Sequence, residues 1–284
     1  MRSPEEGTGK GFFANQIGHL IGRHFATYLH SERIVGKFNA HLRDKLLIFM
    51  DEAMWAGDKQ ARGVLYGLIT EPTITVEAKG MMPEESPSFL RVLMASNHDW
   101  VAPAGPTARR FCVLDVADNS QNNQAYFKEI HEELKNGGYE ALLDYFLTTP
   151  YDYNFVRMPI KTEALLDQKI SGLENETAWF FECLNYRRIG NTEFANGFIE
   201  SSINSNDLYD AYLNWATKNS VKKPCARSIL TRNLNKSCGL KKHGVALESK
   251  WAGGTMGNFY NLKTVEAYRE AFELKFGQAI QWEE

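Results

Sequence analysis

The amino-acid sequence predicts an α/β protein built on a parallel β-sheet, and three features carry that prediction. A glycine-rich stretch, GTGKG at residues 7–11, opens directly into a helical pattern. Two short apolar runs, at 45–53 and 89–97, end in polar residues, as parallel strands buried on both faces do. Helical patterns lie between such runs, and this alternation favours a parallel sheet with its ligand site at the carboxyl ends of the strands.

Each element follows from local pattern, in chain order. Apolar residues at helical spacing predict a first helix over 12–29, and the same periodicity predicts helices over 58–70, 122–148 and 161–188. Continuous or alternating apolar runs predict strands over 45–53, 73–80, 89–97 and 109–118. Prolines mark 81–88 as a turn or loop, and the polar stretch 190–205 predicts a linker or long loop.

The pattern changes from about Asn206 onward. A helix capped by Asn206 or Asp207 is followed by a second helix ending at Gly239, then by two strands and a final helix. This order is compatible with a winged-helix module. We therefore expect three parts: an α/β core with a parallel sheet over 1–150, a helical extension and linker over 151–205, and a small winged-helix-like α+β domain over 206–284.

Composition excludes several classes of protein. The chain has 284 residues, 43% hydrophobic, with a net charge of −3, so it is not a polycation and any nucleic-acid surface must be local. No apolar run is long enough to span a bilayer, and the start of the chain is polar and acidic. The four cysteines form no CxxC pair, so neither zinc nor a disulfide framework is expected. We predict an intracellular, cytoplasmic protein without membrane contact.

The glycine-rich stretch predicts a phosphate-binding loop. Backbone amides of such a loop point at phosphate oxygens, and the lysine bridges the terminal phosphates. The candidate residues are Gly7, Thr8, Gly9, Lys10 and Gly11. Pro4 stands where the motif has its first glycine, and Gly11 where it has the Ser or Thr that holds Mg²⁺. An ordinary glycine-rich turn is the alternative.

Two carboxylates end the apolar run at 45–53. In a phosphate-loop ATPase, a buried strand beside the loop ends in acids; Asp51 then holds Mg²⁺ and Glu52 polarises the attacking water as general base. The alternative is a strand that ends in two solvated acids at a sheet edge.

Polar residues at two further places fit the same chemistry. Asn97 ends the next apolar run, where it could orient the attacking water, or it is simply a residue that ends a strand. Arg109 and Arg110 precede the apolar run over 111–118. One of them could reach the γ-phosphate of a neighbouring subunit as an arginine finger; the alternative is a pair of surface arginines.

The order of these motifs resembles the superfamily 3 helicases of the AAA+ class. Four segments are similar in sequence to the helicase-like domain of phage primase-polymerases and primase-helicases. They are GKFNAHL (36–42), LITEPTITVEAKG (68–80), LRVLMASN and RRFCVLDVAD. The likeness is strong over about 3–150 and moderate to about 185. It implies that residues 1–150 are an AAA+ superfamily 3 helicase core, a parallel-sheet P-loop ATPase whose first strand is missing. It also implies a ring, usually a hexamer, that hydrolyses ATP between subunits and pulls single-stranded DNA through its pore.

The resemblance also assigns roles to individual residues. Lys10 becomes the Walker lysine, Asp51 and Glu52 the Walker B acids, and Asn97 sensor 1. Arg110, directly before Phe111, is the preferred finger, with Arg109 second. A hairpin between Thr73 and Ser96 would enter the pore, with Lys79 near its tip on the DNA phosphates. ATP and Mg²⁺ are the implied cofactors, and a primase or polymerase domain or protein upstream is the implied partner.

A basic stretch near the C-terminus supports a nucleic-acid role independently. Between Lys218 and Lys242 there are eight Lys or Arg and no Asp or Glu. Such a patch binds DNA through counterion release, although a solvated helix face is the alternative. The candidate contacts are Lys222, Lys223, Arg227, Arg232 and Lys236.

The phosphate loop begins only a few residues into the chain. In AAA+ folds the strand before this loop lies in the middle of the sheet, and Met1 to Ser3 could supply only its end. We therefore expect the chain to be the C-terminal piece of a longer protein, or the product of a broken gene.

Three functions remain open at this point. The first is an ATP-driven helicase domain of a phage or prophage replication protein. The second is a non-enzymatic DNA-binding remnant of a truncated primase-helicase. The third is a small-substrate kinase, which leaves Asn97, the arginine pair and the basic stretch without a role.

Overall fold

The computed structural model describes residues 1–29, 32–36, 38–52, 59–154, 158, 160–196, 201–237, 247–252 and 255–283. The chain forms two compact units. The first comprises Met1–Ala104 and Arg109–Gln168, and the second comprises Gly105–Ala108 and Lys169–Glu284.

The first unit is built of helices around a parallel sheet. Its helices are α1 (Lys10–Ile21), α2 (Glu32–Val35), α3 (Lys59–Thr70), α4 (Gln124–Glu133), α5 (Tyr139–Thr148) and α6 (Glu163–Ser171), which runs on past Gln168. Its strands are β1 (Phe25–Tyr28), β2 (Leu47–Met50), β3 (Thr73–Val76), β4 (Glu84–Pro87) and β5 (Arg91–Met94).

A three-stranded parallel sheet in the order β1-β2-β5 forms the centre of this unit. The core contains Ala14 of α1, Phe49 of β2 and Ala95 after β5, all at most 1% exposed, with Phe25 and Leu93 packed against them. Helix α1 therefore covers one face of the sheet. The prediction of a mixed α/β chain with a parallel sheet is confirmed.

The first three residues of the chain lie beside β5. The amide of Ser96 donates to the carbonyl of Met1 (3.2 Å), and Ser3 donates back to Ser96 (3.3 Å). On the other side Arg2 donates to Leu114 (2.9 Å). Arg2 thus forms parallel bridges to both Ser96 and Asp115, so residues 1–3 occupy an interior position between two neighbouring segments.

The predicted helix over 12–29 is only half right. Helix α1 ends at Ile21, Gly22 has a φ of 61°, and Phe25–Tyr28 pairs in parallel with Leu47–Met50 as β1. Apolar spacing cannot separate the two states here, because Phe25 satisfies both the helical period and a short buried strand.

The predicted strand over 109–118 is wrong. The segment has no regular secondary structure apart from an isolated bridge at Asp115. A strand requires a ladder of backbone pairs, and the neighbour available on this side is the short segment 1–3.

The turn predicted for 81–88 is partly a strand. Residues 84–87 form β4, which pairs antiparallel with β3, so 73–87 is a hairpin. Later in the unit, helices α4 and α5 meet at a kink over Leu134–Gly138, where Gly137 has a φ of 99°. Neither α4 nor α5, both described throughout, has a fully buried residue.

The second unit is mixed helix and antiparallel sheet. Its helices are α7 (Asn175–Asn185), α8 (Ser205–Lys218), α9 (Arg227–Ser237) and α10 (Val265–Phe276). Its strands are β6 (Arg188–Ile189), β7 (Thr192–Glu193), β8 (Ser201–Asn204), β9 (Leu247–Ala252) and β10 (Thr255–Leu262). Strands β8, β10 and β9 form one antiparallel sheet in that order.

The core of this unit is aromatic. Tyr212 and Tyr268 are fully buried, and the Phe180 ring lies edge-on to Tyr268 with 5.4 Å between centroids. Two predictions need correction. The expected linker over 190–205 contains β7 and β8, and helix α8 is capped by Asn204, whose side chain accepts from the amide of Asn206. Part of the predicted strand over 240–250 lies outside the described residues.

Among the helices in the described ranges, none combines the length and the apolar character that crossing a bilayer requires.

Candidate functional site

A loop at residues 4–9 joins the segment 1–3 to helix α1. Gly9, the residue before the helix, has a φ of 95°, a left-handed conformation that side chains rarely adopt. A Cβ at this position would lie 2.7 Å from the Phe127 ring. The first turn of α1 contains no acidic residue and no side-chain cap, so its amides are available to an anion.

Oxygen atoms of four residues surround the Lys10 ammonium. This ammonium is buried and donates to Asn97 Oδ1 (2.7 Å), to the Ser3 and Thr8 hydroxyls and to the carbonyl of Glu5. Burial lowers the pKa of the Lys10 ammonium below its ordinary value, although the charges of Asp51 and Glu6 act in the opposite direction. The sequence places Lys10 and Asn97 far apart, and the fold brings them into direct contact.

Asp51 and Glu52 lie at the carboxyl end of β2, beside the loop. A Cβ on Gly11 would lie 3.8 Å from Asp51 Oδ2, so the first turn of α1 faces the Asp51 carboxylate. Glu52 is exposed and has a φ of 55°. A non-glycine residue held in the left-handed region is the kind of backbone strain that clusters at functional sites.

The segment after Asn97 is held by a buried glutamine. Gln168 is fully buried, and its Oε1 accepts from the amides of Val101 (2.7 Å) and Ala102 (3.0 Å). Its amide nitrogen donates to the carbonyl of Asp99, which also accepts from Arg2. Gln168 therefore fixes the backbone that follows Asn97.

The loop, the start of α1 and the residues that follow β2 and β5 surround one cavity of about 530 Å³. Its lining includes the loop 6–11 together with Asp51, Glu52, Ser96 and Asn97. The carboxyl ends of β2 and β5 and the N-terminus of α1 thus meet at one edge of the sheet. Every predicted residue of the loop and of the two strand ends lies on this cavity.

Sequence reasoning missed one wall of the cavity. Asn122, Gln124 and Phe127, at the start of α4, also line it. The amide of Asn122 donates to the carbonyl of Gly7 (3.0 Å), and Asn122 itself has a φ of 54°. The NSQNN run at 119–123 is typical of a turn, but nothing in it shows that the turn lies on a loop more than a hundred residues away.

The arginine pair is not part of this cavity. Arg109 and Arg110 are both exposed, and the Arg110 guanidinium lies over the Tyr66 ring, 5.0 Å from its centroid. Lys79 does not line the cavity either, and it is exposed in the turn that joins β3 and β4.

The predicted DNA contacts of the second unit lie on or just before α9. Lys222, Lys223, Arg227 and Arg232 are exposed. Arg227 donates to Asn206 and lies over the Tyr209 ring, 5.3 Å from its centroid. Lys236 belongs to α9, but its side chain lies outside the described part of the structure.

A metal site made of protein ligands alone is not found within the described ranges. No group of three or more His, Cys, Asp or Glu side chains is placed to hold an ion there. Mg²⁺ in nucleotide sites typically takes one or two carboxylates plus substrate phosphates and water, and the Asp51 position beside the loop fits that pattern.

Comparison with known proteins found a family match and a related phage protein. Residues 1–110 match a family described as a family of unknown function, DUF5906. The chain is 23% identical over 193 residues to the DNA primase-polymerase of Nitratiruptor phage NrS-1; the match covers 63% of this chain and 27% of that protein.

The fold is similar to solved structures of the NrS-1 C-terminal region. One apo structure superposes with a TM-score of 0.65 and a second with 0.62, each at 16% identity. Each match covers 92% of this chain and 65% of the other. The chain therefore spans about a quarter of the curated relative it matches and about two thirds of that region.

Proposed function

We propose that this chain is the ATP-dependent DNA helicase domain of a phage or prophage replication protein. It hydrolyses ATP between the subunits of a ring and translocates on single-stranded DNA. One observation carries the proposal: Lys10, Asp51, Glu52 and Asn97 line a single cavity at the carboxyl edge of a parallel sheet. Their roles follow from their positions in it.

Each residue has a separate task. The loop amides and the Lys10 ammonium bind the phosphates, and Asp51 would hold Mg²⁺, which would neutralise charge on the phosphates. Glu52, exposed at the edge of the cavity, accepts a proton from the attacking water. Asn97 orients that water. Because Gly11 offers no hydroxyl, Asp51 is the side chain that would hold Mg²⁺ at this site.

The charge of the cavity supports assembly into a ring. Among the residues that the structure describes, three carboxylates line it, from Glu6, Asp51 and Glu52, against the single ammonium of Lys10. A triphosphate brings further negative charge, so a cation from a neighbouring subunit, in addition to Mg²⁺, would stabilise the charge of the transition state. Arg110, which lies on the surface away from the cavity, supplies that cation to a neighbouring subunit, with Arg109 as the second candidate.

DNA contacts fall in two places. In the first unit, the hairpin 73–87 carries Lys79 at its turn, and we assign it to the ring pore. In the second unit, strand β8, helices α8 and α9 and the β9–β10 hairpin have the order of a winged-helix module. Its exposed basic residues at and before α9 bind DNA phosphates.

The cellular context follows from the relative. The NrS-1 protein is described as a DNA primase-polymerase, and we infer a primase or polymerase partner for this chain as well. Action in the host cell cytoplasm is part of the same proposal.

A pair of variants tests the proposal. Glu52→Gln keeps the shape of the side chain but not its basicity, so we expect it to bind ATP and not hydrolyse it. Lys10→Ala removes the buried ammonium, so we expect loss of both. Glu71→Gln, on an exposed glutamate after α3 and outside the cavity, is the matched control and keeps parental rates. Parental hydrolysis by both Glu52→Gln and Lys10→Ala would show that the site is wrong.

A second function remains worth testing. Gly11 and Pro4 depart from the phosphate-loop motif, while the basic residues at α9 are exposed and do not depend on the cavity. A chain that binds DNA in a salt-dependent way but never turns over ATP would be a DNA-binding remnant rather than a helicase.

A further inference from the structure

A second cavity of about 680 Å³ lies in the first unit, next to the phosphate loop. Most of its walls are apolar. Helix α1 contributes Phe12, Phe13 and Ile17, the segment after Arg110 contributes Leu114 and Val116, and α4, its kink and α5 supply the opposite wall. We call it the apolar cleft.

The apolar cleft and the phosphate cavity share a wall. Thr8, Gly9, Lys10, Phe12 and Phe127 line both of them. The Phe12 and Phe127 rings lie 5.1 Å apart between centroids, at an interplanar angle of 52°. A molecule whose phosphates lie on Lys10 therefore has an apolar space directly beside the remainder of its structure.

Polar side chains are few in the cleft. Apart from Thr8 and Lys10, the polar, non-aromatic side chains among its described lining residues are Gln16, Asn119 and Ser120, and Gln16 accepts a hydrogen bond from the Tyr139 hydroxyl (2.5 Å). A flat aromatic group in the cleft thus meets aromatic and aliphatic carbon on most sides. Stacking of a base on an aromatic side chain strengthens binding by about 5- to 150-fold and tolerates every base, since each has a π-face.

We propose that the apolar cleft is the nucleoside subsite of this protein and that it binds purine bases by stacking rather than by reading their edges. The inference rests on the proposed ATP site and extends it to the choice of nucleotide. A site that hydrogen-bonds a specific group rejects analogues by about 10⁴-fold or more, whereas apolar pockets discriminate weakly. ATP and GTP therefore bind with affinities within about tenfold of each other.

Inorganic tripolyphosphate separates the two subsites, because it has the phosphates and no nucleoside. Binding of ATP, GTP and tripolyphosphate is measured with Mg²⁺ by calorimetry. We expect the parent chain to bind both nucleotides at least about tenfold more tightly than tripolyphosphate, the contribution of one stacked base.

A filling variant tests the location of the base. Ala117 lines the cleft and is exposed, so Ala117→Trp places an indole in it. We expect ATP affinity to fall about tenfold or more and tripolyphosphate affinity to remain parental. Ala125→Trp, on an exposed α4 residue that lines neither cavity, is the control and leaves both affinities unchanged.

The possible outcomes separate the two claims. Equal affinity for ATP and tripolyphosphate, or an Ala117→Trp chain that binds ATP as the parent does, overturns the nucleoside subsite while leaving the phosphate site intact. Preference for ATP over GTP by about a thousandfold overturns recognition by stacking. If neither ATP nor tripolyphosphate binds the parent, both the proposed function and this inference fail.

Discussion

Replacing Gly9 by alanine tests the phosphate loop at its tightest point. Gly9 has a φ of 95°, and a side chain in the left-handed region costs about 1–2 kcal/mol. The added Cβ would also lie 2.7 and 2.8 Å from two carbons of the Phe127 ring. Overpacking of this kind costs typically about 1–3 kcal/mol, so the loop must shift or the ring must move.

Gly80 provides the matched control. It has a φ of 78° at the turn of the β3–β4 hairpin, and no atom lies within 4 Å of its added Cβ. Gly80→Ala therefore carries the backbone cost alone, away from the cavity. The difference between the two variants isolates the contact of Gly9 with Phe127, about 1–3 kcal/mol, which corresponds to about 5- to 150-fold in an equilibrium constant.

The assay combines urea unfolding with calorimetric binding of tripolyphosphate in the presence of Mg²⁺. We expect both variants to lose stability and only Gly9→Ala to lose affinity, by the factor above. Phe127→Ala added to Gly9→Ala removes the clash and recovers part of that affinity. If Gly9→Ala binds tripolyphosphate as tightly as Gly80→Ala does, residues 7–11 do not form the phosphate site.

Three further results are expected. Gly11→Thr brings a hydroxyl toward Asp51 and should lower the Mg²⁺ concentration needed for turnover, whereas Gly11→Ala should not; equal behaviour of the two would refute a metal site at this position. Arg110→Ala should bind ATP normally but hydrolyse it about 10³-fold more slowly. Mixing it with Lys10→Ala chains should restore some activity, since the mixed interfaces pair an intact loop with an intact arginine finger. No recovery in assembled mixtures would contradict a finger supplied by the neighbouring subunit. Burial lowers the pKa of the Lys10 ammonium, and only the charged ammonium binds phosphate. ATP affinity should therefore be full at low pH and should fall as the pH rises, before the ordinary pKa of lysine is reached. A Lys10→Arg chain that binds ATP with the same pH profile would exclude Lys10 as the titrating group.

The local sequence pattern was sufficient to predict β2 and β5, the strands whose carboxyl ends carry the candidate site. The apolar runs that became β2 and β5 end where Asp51, Glu52 and Asn97 begin, and a buried parallel strand leaves a strong local signal of that kind. Strand β1 left a weaker one, since Phe25 continues the apolar spacing of α1. The break occurs at Gly22, and a single glycine does not by itself distinguish a helix end from a tolerated interruption.

The parts that could not be predicted depend on long-range contacts. Phe127 packs on Gly9, and Gln168 holds the segment after Asn97, although nothing near either residue in sequence marks it. The composition of the apolar run at 111–118 predicts a strand. Whether this run pairs as a strand depends on which backbone segment lies beside it, and no local pattern shows that. The left-handed backbone of Glu52 also has no sequence signal, because glutamate is not a residue that favours that conformation.

ATP turnover with and without single-stranded DNA tests the central claim most directly. A helicase domain should hydrolyse ATP slowly in the absence of DNA and at least severalfold faster in the presence of single-stranded DNA. Both rates should be lost in Lys10→Ala. Hydrolysis that single-stranded DNA leaves unchanged, or DNA binding without any Lys10-dependent turnover, would contradict the assignment.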